Sequence, residues 1–470
     1  MRHTLVIGLI FLAAAQAIGA EKPIPQDTAR MEKQRRDRLE WNLRTTRGAY
    51  DKIGKKNPRW DEPARKAMEF ASRMFSLQVD PQIRVDDVYK PAKIAIDAGC
   101  DDPLLDYLYR RSLFGPHYPG EEESARQISV AAEALAASRY PAFRRAIGCQ
   151  MAGSYTLNAK EPSDASRKEA ERRYDAALAL LPESVAGDEP NVFWEDRWFD
   201  TIVDIIQGYR KLGLSAPAAL ERVDSKLAKL PALKVLRLQI RGDFWYKYGW
   251  EGRTMALAPA VPAGGFEVFT ERLDNAQKAF NEAWRLRPDD ARTAEYLLDI
   301  EKGIGGDRSK MELWFDRAMK ADGDRVGACA TKLDWLDPKW HGTAKEMVEF
   351  GRACRATKNW QSGITLCVAD AHYRYADMLD RVGKSKYLAS PEVWSDVKSV
   401  YDEYLQHFPR NDVVRSKYAA ICYLAAHYPE AHAQFQVLGD RLTQWPDFPY
   451  LPLESMKRLR DDAARIVAGK

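Results

Sequence analysis

The chain has 470 residues, of which 45% are hydrophobic and 11% aromatic, a composition that argues against general disorder. Its 72 Lys and Arg residues nearly balance 68 Asp and Glu residues, and the formal net charge of +4 gives no indication of nucleic-acid binding. The chain is longer than a single globular domain with one hydrophobic core usually is. A helical repeat array has no such limit on its length, because it grows by adding neighbouring repeats.

The first 20 residues have the pattern of a secretory signal peptide. Arg2 precedes an apolar run from Leu5 to Ala15, and small residues follow as far as Ala20. The run is short for a membrane span, and no later stretch approaches about 20 uninterrupted apolar residues. We expect removal of residues 1–20 and a periplasmic or secreted protein without a membrane span. An uncleaved N-terminal anchor is the alternative.

A basic segment follows the short leader at 21–26. Residues 30–47 carry seven Lys or Arg residues against three acidic ones, and their spacing predicts a helix. Such a helix has two interpretations. It contacts anionic lipid or wall polymer, or its charges form the solvated face of a first helix. The second interpretation is the simpler one.

Helical patterns then succeed one another along the chain, separated by Pro, Gly and polar residues. The predicted helices before the aromatic-rich segment cover residues 63–76, 91–98, 101–114, 122–138, 141–157, 166–181, 191–211, 217–228 and 232–248. The best candidate linker is the polar stretch from Ser184 to Pro190. We therefore divide the mature chain into helical arrays at 21–184 and 191–470.

A small-large-small pattern recurs in one register. Ala276, Phe280 and Ala283 lie on one face of a helix that Pro288 ends, and Phe315 occupies the position of Phe280 in a second copy 35 residues later. Further copies cover residues 170–182, 397–409 and 431–438. This spacing resembles the second helix of a tetratricopeptide repeat and predicts an all-α solenoid of tetratricopeptide-like helical hairpins. A non-repeating helical bundle is the alternative.

An aromatic-rich segment breaks this rhythm between Gly242 and Phe269, where a helix is followed by a Pro- and Gly-containing loop at 259–265. Together with a later stretch it resembles a family of exported bacterial tetratricopeptide-like proteins that is known only as a domain of unknown function. The matching residues are 248–253 (YGWEGR), Phe269, Arg272–Leu273, 336–342 (LDPKWHG), Glu346–Met347 and Phe350, with a weaker match at 98–103 (AGCDDP). The resemblance covers about residues 236–367. It implies the fold and no particular activity.

Four residues in these stretches are candidate ligand-binding residues. Trp250 and Arg253 suit a platform for planar or anionic groups, because a guanidinium over an indole attracts both. Trp340 and His341 suit stacking on a sugar or an aromatic ligand. Core packing is the alternative for all four, because the Pro and Gly around Trp340 also serve as a stop between helices.

If the protein is exported, its six cysteines are candidates for disulfides, because thiols in an oxidising compartment often pair. Cys354 and Cys367 flank a predicted turn at 357–363, and two antiparallel helices joined there would bring them together. We therefore predict a Cys354–Cys367 disulfide, with Cys100–Cys149 as a weaker possibility. No CxxC motif or Cys/His cluster indicates zinc.

Motifs for catalysis, metals or cofactors are missing from the sequence. Gly-x-Ser-x-Gly, P-loop and dinucleotide-binding patterns do not occur. Glu454 and Ser455 resemble the catalytic pair of soluble lytic transglycosylases, but the downstream residues that complete that site are missing. His427 and His432 are five positions apart, which does not place two imidazoles on one helix face for a metal.

We therefore predict a non-catalytic exported scaffold that presents a helical-repeat surface to a protein, a peptide or an envelope polymer, with no cofactor and no nucleic-acid partner. The alternative is an envelope hydrolase or glycan-binding protein that uses the Trp-rich segment near residues 245–265. Two facing carboxylates near Trp250 and Arg253 would favour this alternative, because glycoside hydrolysis commonly needs such a pair.

Overall fold

The computed structural model describes residues 21–469 apart from residues 77–79, 114–116, 159–160, 188–190, 255–259 and 446–450. Over these residues the regular structure is helical, and β-type pairing is confined to a bridge between Trp445 and Leu451. The predicted all-α solenoid class is therefore confirmed. The predicted signal peptide at 1–20 lies outside the described residues.

The described helices follow one another with short connections. The N-terminal half contains α1 (Thr28–Thr45), α2 (Arg47–Ile53), α3 (Asp61–Phe75), α4 (Val85–Asp97), α5 (Pro103–Arg111), α6 (Glu121–Ala136), α7 (Ala142–Leu157), α8 (Asp164–Ala179), α9 (Leu181–Gly187), α10 (Val192–Lys211) and α11 (Ala216–Leu227). The C-terminal half contains α12 (Lys234–Arg253), α13 (Gly265–Leu286), α14 (Ala291–Gly303), α15 (Arg308–Ala321), α16 (Val326–Trp335), α17 (Ala344–Ala356), α18 (Cys367–Asp377), α19 (Arg381–Leu388), α20 (Pro391–His407), α21 (Asp412–Leu424), α22 (Tyr428–Leu438) and α23 (Leu453–Val467). None of these described helices has the length and apolar character needed to cross a membrane.

Consecutive helices pack in pairs, among them α7 with α8, α12 with α13, α14 with α15 and α21 with α22. The repeat pattern of the sequence lies at these contacts. Phe280 and Phe315 are both buried, and every small, large and small position of the five copies is at most 2% exposed. The pattern therefore marks the buried face of α8, α13, α15, α20 and α22.

Glycines on neighbouring helices receive two of the large rings. A Cβ atom at Gly242 of α12 would lie 2.5 Å from a ring carbon of Phe280. The ring of Tyr174 lies against two such positions, Gly153 of α7 and Gly208 of α10, where added Cβ atoms would be 2.8 and 2.3 Å away. These distances are too short for real carbon atoms, so the missing side chain is what lets the helices approach.

The apolar core continues across the predicted linker. One cluster of buried side chains contains Leu178 and Leu181 from the N-terminal side of residues 184–190, and Phe193 and Trp198 from the other side. The two predicted arrays therefore share buried apolar surface. The division of the chain at this point stays a prediction.

Two helices are longer than their sequence pattern predicts. Helix α4 begins at Val85, six residues before Pro91, because the Asp87 side chain accepts a hydrogen bond from the Arg84 backbone N–H at 2.9 Å and caps the first turn. Helix α12 continues beyond Tyr248 to Arg253. Residues 249–253 of the aromatic-rich segment are thus helical.

The basic helix α1 has two different faces. On one face, Lys33 and Arg36 are largely exposed and pair with acidic residues of the same helix. On the other, Arg35 Nε donates to Asp324 at 2.7 Å and Arg38 Nη2 donates to Asp322 at 2.9 Å. Both of these ion pairs are largely buried. Helix α1 therefore has a solvated basic face, and its opposite face binds the connection between α15 and α16 through Arg35 and Arg38.

Apolar and ionic contacts extend this attachment of the N-terminal segment. Ile24 is buried in the core cluster formed by α13 to α18, and Met31 packs against Gly323 so closely that a Cβ there would lie 2.4 Å from its sulfur. Farther along, Arg84 Nε lies 2.8 Å from a carboxylate oxygen of Asp412 at the start of α21. Helix α1 and the N-cap residue of α4 thus each contact the C-terminal half.

The predicted Cys354–Cys367 disulfide is wrong. All six cysteines are free and buried. Cys354 and Cys367 do lie in one apolar cluster, which also contains Cys329. Burial raises the pKa of the Cys354 thiol well above its ordinary range. The Cys100–Cys149 possibility is wrong for the same reason, because both thiols are free.

Replacing a ring of the repeat pattern should destabilise the array. We expect Phe315→Ala to reduce the free energy of unfolding by about 3 to 5 kcal/mol, because it leaves a cavity between packed helices. Leu313→Ala on the same helix is the matched control, because Leu313 is 45% exposed, and it should change stability by less than about 0.5 kcal/mol. Urea unfolding followed by circular dichroism measures both. Equal effects of the two substitutions would contradict the repeat packing.

The thiols should be free but protected in the folded protein. We expect little reaction with Ellman's reagent at mildly alkaline pH, because all six thiols are buried and the reagent cannot reach them. After unfolding in guanidinium chloride without reductant, all six thiols should react. Mass mapping of non-reduced peptides supplies the check, and a recovered Cys–Cys peptide from freshly purified protein would show that a bridge does form.

Candidate functional site

The four candidate residues named from the sequence lie together at one end of the α12–α13 pair. Trp250 and Arg253 belong to the last turn of α12, and Trp340 and His341 belong to the connection between α16 and α17. These two segments are far apart in sequence. Tertiary packing therefore brings all four into one cluster.

Trp250 is the central ring of this cluster. Its ring centroid lies 4.8 Å from that of Phe269 on α13, with the planes inclined by 63°. The Trp340 ring lies 5.9 Å away on another side, nearly perpendicular at 85°. Such edge-to-face contacts contribute about 0.5 to 1.5 kcal/mol each beyond the area they bury. Trp250 thus joins α12, α13 and the α16–α17 connection.

Arg253 places a cation among these rings. Its guanidinium carbon lies 5.3 Å from the ring centroids of both Trp250 and Phe266, 5.8 Å from that of Phe269 and 6.0 Å from that of Trp340. A cation within about 6 Å of an aromatic face is attracted by the ring quadrupole. We call Arg253, these four rings and His341 the Arg253 cluster.

The backbone after α12 helps to orient Arg253. Thr254 has a φ of 67°, a left-handed conformation that is rare for a β-branched residue. Arg253 Nη1 donates to the carbonyl oxygen of Thr254 at 3.2 Å. The helix end and this hydrogen bond hold the guanidinium beside the rings.

His341 lies at the exposed edge of the cluster. Its Nε2 is 3.0 Å from the carbonyl oxygen of Lys302, and its ring centroid is 5.0 Å from that of the buried Trp335. The Lys302 ammonium lies 5.5 Å from the centroid of the Trp340 ring. The C-terminal end of α14 thus supports both residues of the α16–α17 connection.

The local sequence explains the shape of that connection. The backbone N–H of His341 donates to the carbonyl oxygen of Trp335 at 3.2 Å, which folds the chain back on the end of α16. At the next position, a Cβ on Gly342 would lie 2.3 Å from the carbonyl oxygen of Leu336. Glycine is therefore required for a return this tight. This tight turn places the Trp340 ring toward α12.

Two carboxylates beside Lys302 are bound to basic or hydroxyl groups. Asp299 accepts a hydrogen bond from the Tyr246 hydroxyl at 2.5 Å and lies 2.8 Å from the Lys302 ammonium. Asp334 is shared by Lys302 and Arg374. Burial raises the pKa of Tyr246 well above its ordinary value, which keeps this phenol a neutral donor. The arrangement provides packing and cation–π contacts, with each of these carboxylates engaged in an ion pair.

Sequence reasoning did not identify several residues of this site. Phe266 and Phe269 lie one turn apart at the start of α13, and Phe266 is 45% exposed. Lys302 and Trp335 support His341 from below the surface. The signal for Phe266 and Phe269 was available as their offset of three on one helix face. Nothing local in the sequence indicates that Lys302 lies beside Trp340.

Of the two histidines considered above as metal ligands, His427 packs against an aromatic ring. His427 lies flat against Trp394, with ring centroids 3.7 Å apart and planes within 8°. Over the described residues, no group of three or more His, Cys, Asp or Glu side chains is arranged to hold a metal ion.

The similarity of the chain to known proteins is low. No family model matches the chain, and no curated protein matches it. Among solved structures, it is similar to one of Naa15/Naa10 bound to HypK-THB, with 12% identity and a TM-score of 0.21 over 93% of this chain and 73% of that chain. It is also similar to a circular tandem repeat protein of novel repeat topology, with 11% identity and a TM-score of 0.18 over 93% and 96% of the two chains. TM-scores this low support no conclusion about function.

Removing the central cation should loosen the cluster. We expect Arg253→Ala to reduce the free energy of unfolding by about 1 kcal/mol through lost cation–π and packing contacts. Arg253→Lys should recover part of this loss, because it keeps the charge without the planar group. Arg285→Ala, at an exposed arginine of α13, is the control and should be close to neutral. Urea unfolding compares the three variants, and a neutral Arg253→Ala would rule out the proposed packing role.

Proposed function

We propose that the protein is a non-catalytic scaffold that binds a protein or peptide partner through the exposed edge of the Arg253 cluster. The observation that supports this is the grouping of the partly exposed Trp250 and Trp340 with the exposed Phe266 around one guanidinium. Tryptophan and arginine are the residues most enriched among binding hot spots, where an aromatic anchor is desolvated by the partner.

The repeat architecture is consistent with this role. Stacked helical hairpins use most of their sequence for neighbour contacts and expose an extended surface. In this chain the cluster lies where the ends of α12, α13 and α14 meet the α16–α17 connection. A partner that contacts the cluster therefore contacts more than one repeat. We expect the partner segment to carry an apolar or aromatic side chain beside an acidic one, to match Phe266 and Arg253.

The cellular location belongs to the same proposal. The charged, apolar and small-residue regions of residues 1–20 support export, and the resemblance to exported bacterial tetratricopeptide-like proteins points the same way. We propose a periplasmic or secreted protein. Its partner is then a protein of the cell envelope, and an envelope polymer is the alternative ligand.

A pull-down with matched variants tests the proposal. The chain from residue 21 onward is immobilised and exposed to envelope extract, and the retained proteins are identified by mass spectrometry. Phe266→Ser and Arg253→Ala should each reduce retention of the same protein at least tenfold, because they remove the exposed anchor or its cation. Val382→Ser is the control, because Val382 is 75% exposed on α19, away from the cluster.

Other results would overturn parts of the proposal. Retention that is equal in all three variants would exclude the Arg253 cluster as the binding surface. Retention of a glycan in place of a protein would favour the glycan-binding alternative. Turnover of peptidoglycan, model esters or peptides by the purified chain, abolished by Asp299→Asn with the fold intact, would favour a hydrolase.

A further inference from the structure

A cavity lies in the N-terminal half, away from the Arg253 cluster. It has a volume of about 280 Å³. Helices α3, α4, α5 and α7 supply most of its wall, and α10 supplies one residue. The wall is largely apolar, with side chains of Met74, Phe75, Val85, Val88, Leu104, Leu108, Ile147 and Met151.

The polar part of the wall is cationic. Arg111, Arg144 and Arg197 line the cavity, and none of the described lining residues is Asp or Glu. Arg197 has an acidic partner, Asp200, at 3.3 Å. A cavity whose described wall is apolar and basic is complementary to a molecule with an apolar body and one negative charge.

Arg111 is the group that defines the charged end. Its Nη1 donates to the Tyr107 hydroxyl at 3.2 Å, while its Nε is buried without a hydrogen-bond partner. No described carboxylate forms an ion pair with it. Burial raises the pKa of Tyr107, so this phenol is neutral and does not compensate the charge of the guanidinium. The Arg111 guanidinium is half-buried, and its carbon lies 6.0 Å from the ring centroids of both Tyr107 and Tyr155, so it has aromatic contacts but no described counter-charge.

The neighbouring arginine on the same helix shows the contrast. Arg110 lies one position earlier in α5 and is not part of the cavity wall. It binds Asp106 at 3.0 Å and Gln127 at 3.1 Å. The two adjacent guanidinium groups therefore differ in their partners: Arg110 is paired with a carboxylate of the protein, whereas Arg111 lines an apolar cavity and has no described carboxylate partner.

We propose that this cavity binds a medium-chain fatty acid, with the carboxylate paired to Arg111 and the hydrocarbon chain among Leu104, Ile147 and Met151. A carboxylate accepts from a guanidinium at two oxygens and supplies the missing counter-charge. The cavity, of about 280 Å³, is small for a ligand pocket, so we expect a short hydrocarbon chain such as that of octanoate.

Isothermal titration calorimetry of the chain from residue 21 onward, with sodium octanoate as the probe, tests this site. We expect saturable binding with one site per chain. Octanol should bind at least tenfold more weakly, because it lacks the charge that pairs with Arg111, and octylammonium should not bind. Acetate should not bind, because it has no chain to bury, and palmitate should bind more weakly, because it is too long for the cavity.

Three variants locate the site. Arg111→Gln should weaken octanoate binding at least tenfold and leave octanol binding unchanged, whereas Arg110→Gln should change neither. Met151→Trp should abolish binding of both molecules by filling the cavity, and circular dichroism checks that each variant is folded. Octanoate binding that is absent in the wild type, or unchanged in Arg111→Gln or in Met151→Trp, would overturn the proposal. Equal binding of octanol and octanoate to the wild type would remove the role of Arg111.

Discussion

The close approach of an aromatic ring to a glycine on the next helix is the contact on which this array depends. Phe280 lies where a side chain on Gly242 would stand, and Tyr174 occupies the space left by Gly153 and Gly208. Because no space remains between ring and backbone at these glycines, the contacts fix the distance between the helix axes. The same contact between α12 and α13 holds together the helix ends that carry Trp250, Arg253 and Phe266. The surface of the Arg253 cluster is therefore a consequence of packing deeper in the same pair.

The spacing of residues along single helices was sufficient to predict the repeats, but it was not sufficient to predict the tertiary contacts between distant helices. The position of Phe315 follows from its spacing to small residues on one helix face, and this spacing is present in the sequence itself. Trp250 and Trp340 were identified individually, but their contact depends on two hairpins between them. The end of α12 was placed too early because aromatic and Gly residues after Tyr248 have the composition of a loop, whereas packing against α13 keeps them helical.

The ion pairs and the disulfide were harder to predict than the repeats, because each needs a partner residue that the local sequence does not reveal. The arginines of α1 were visible as a basic segment, but the acidic residue that binds Arg35, Asp324, lies 289 positions away. The thiols of Cys354 and Cys367 were placed correctly on either side of a connection, and the structure nevertheless keeps both as free thiols in an apolar cluster with Cys329. A shared neighbourhood is necessary for a disulfide and does not suffice, because bond formation also requires a specific geometry.

The attachment of the N-terminal helices to Asp324 and Asp412 changes how such an array loses its structure. In an open solenoid each repeat touches only its neighbours, so terminal hairpins fray on their own. In this chain the first helices hold residues 289 and 328 positions farther along, and neither half can separate without exposing the other. Closing loops of this length has an entropic cost, which the contacts at Asp324 and Asp412 offset in the folded protein. The folded chain is therefore expected to unfold more cooperatively than a row of independent hairpins, because the two halves are coupled by contacts distant in sequence.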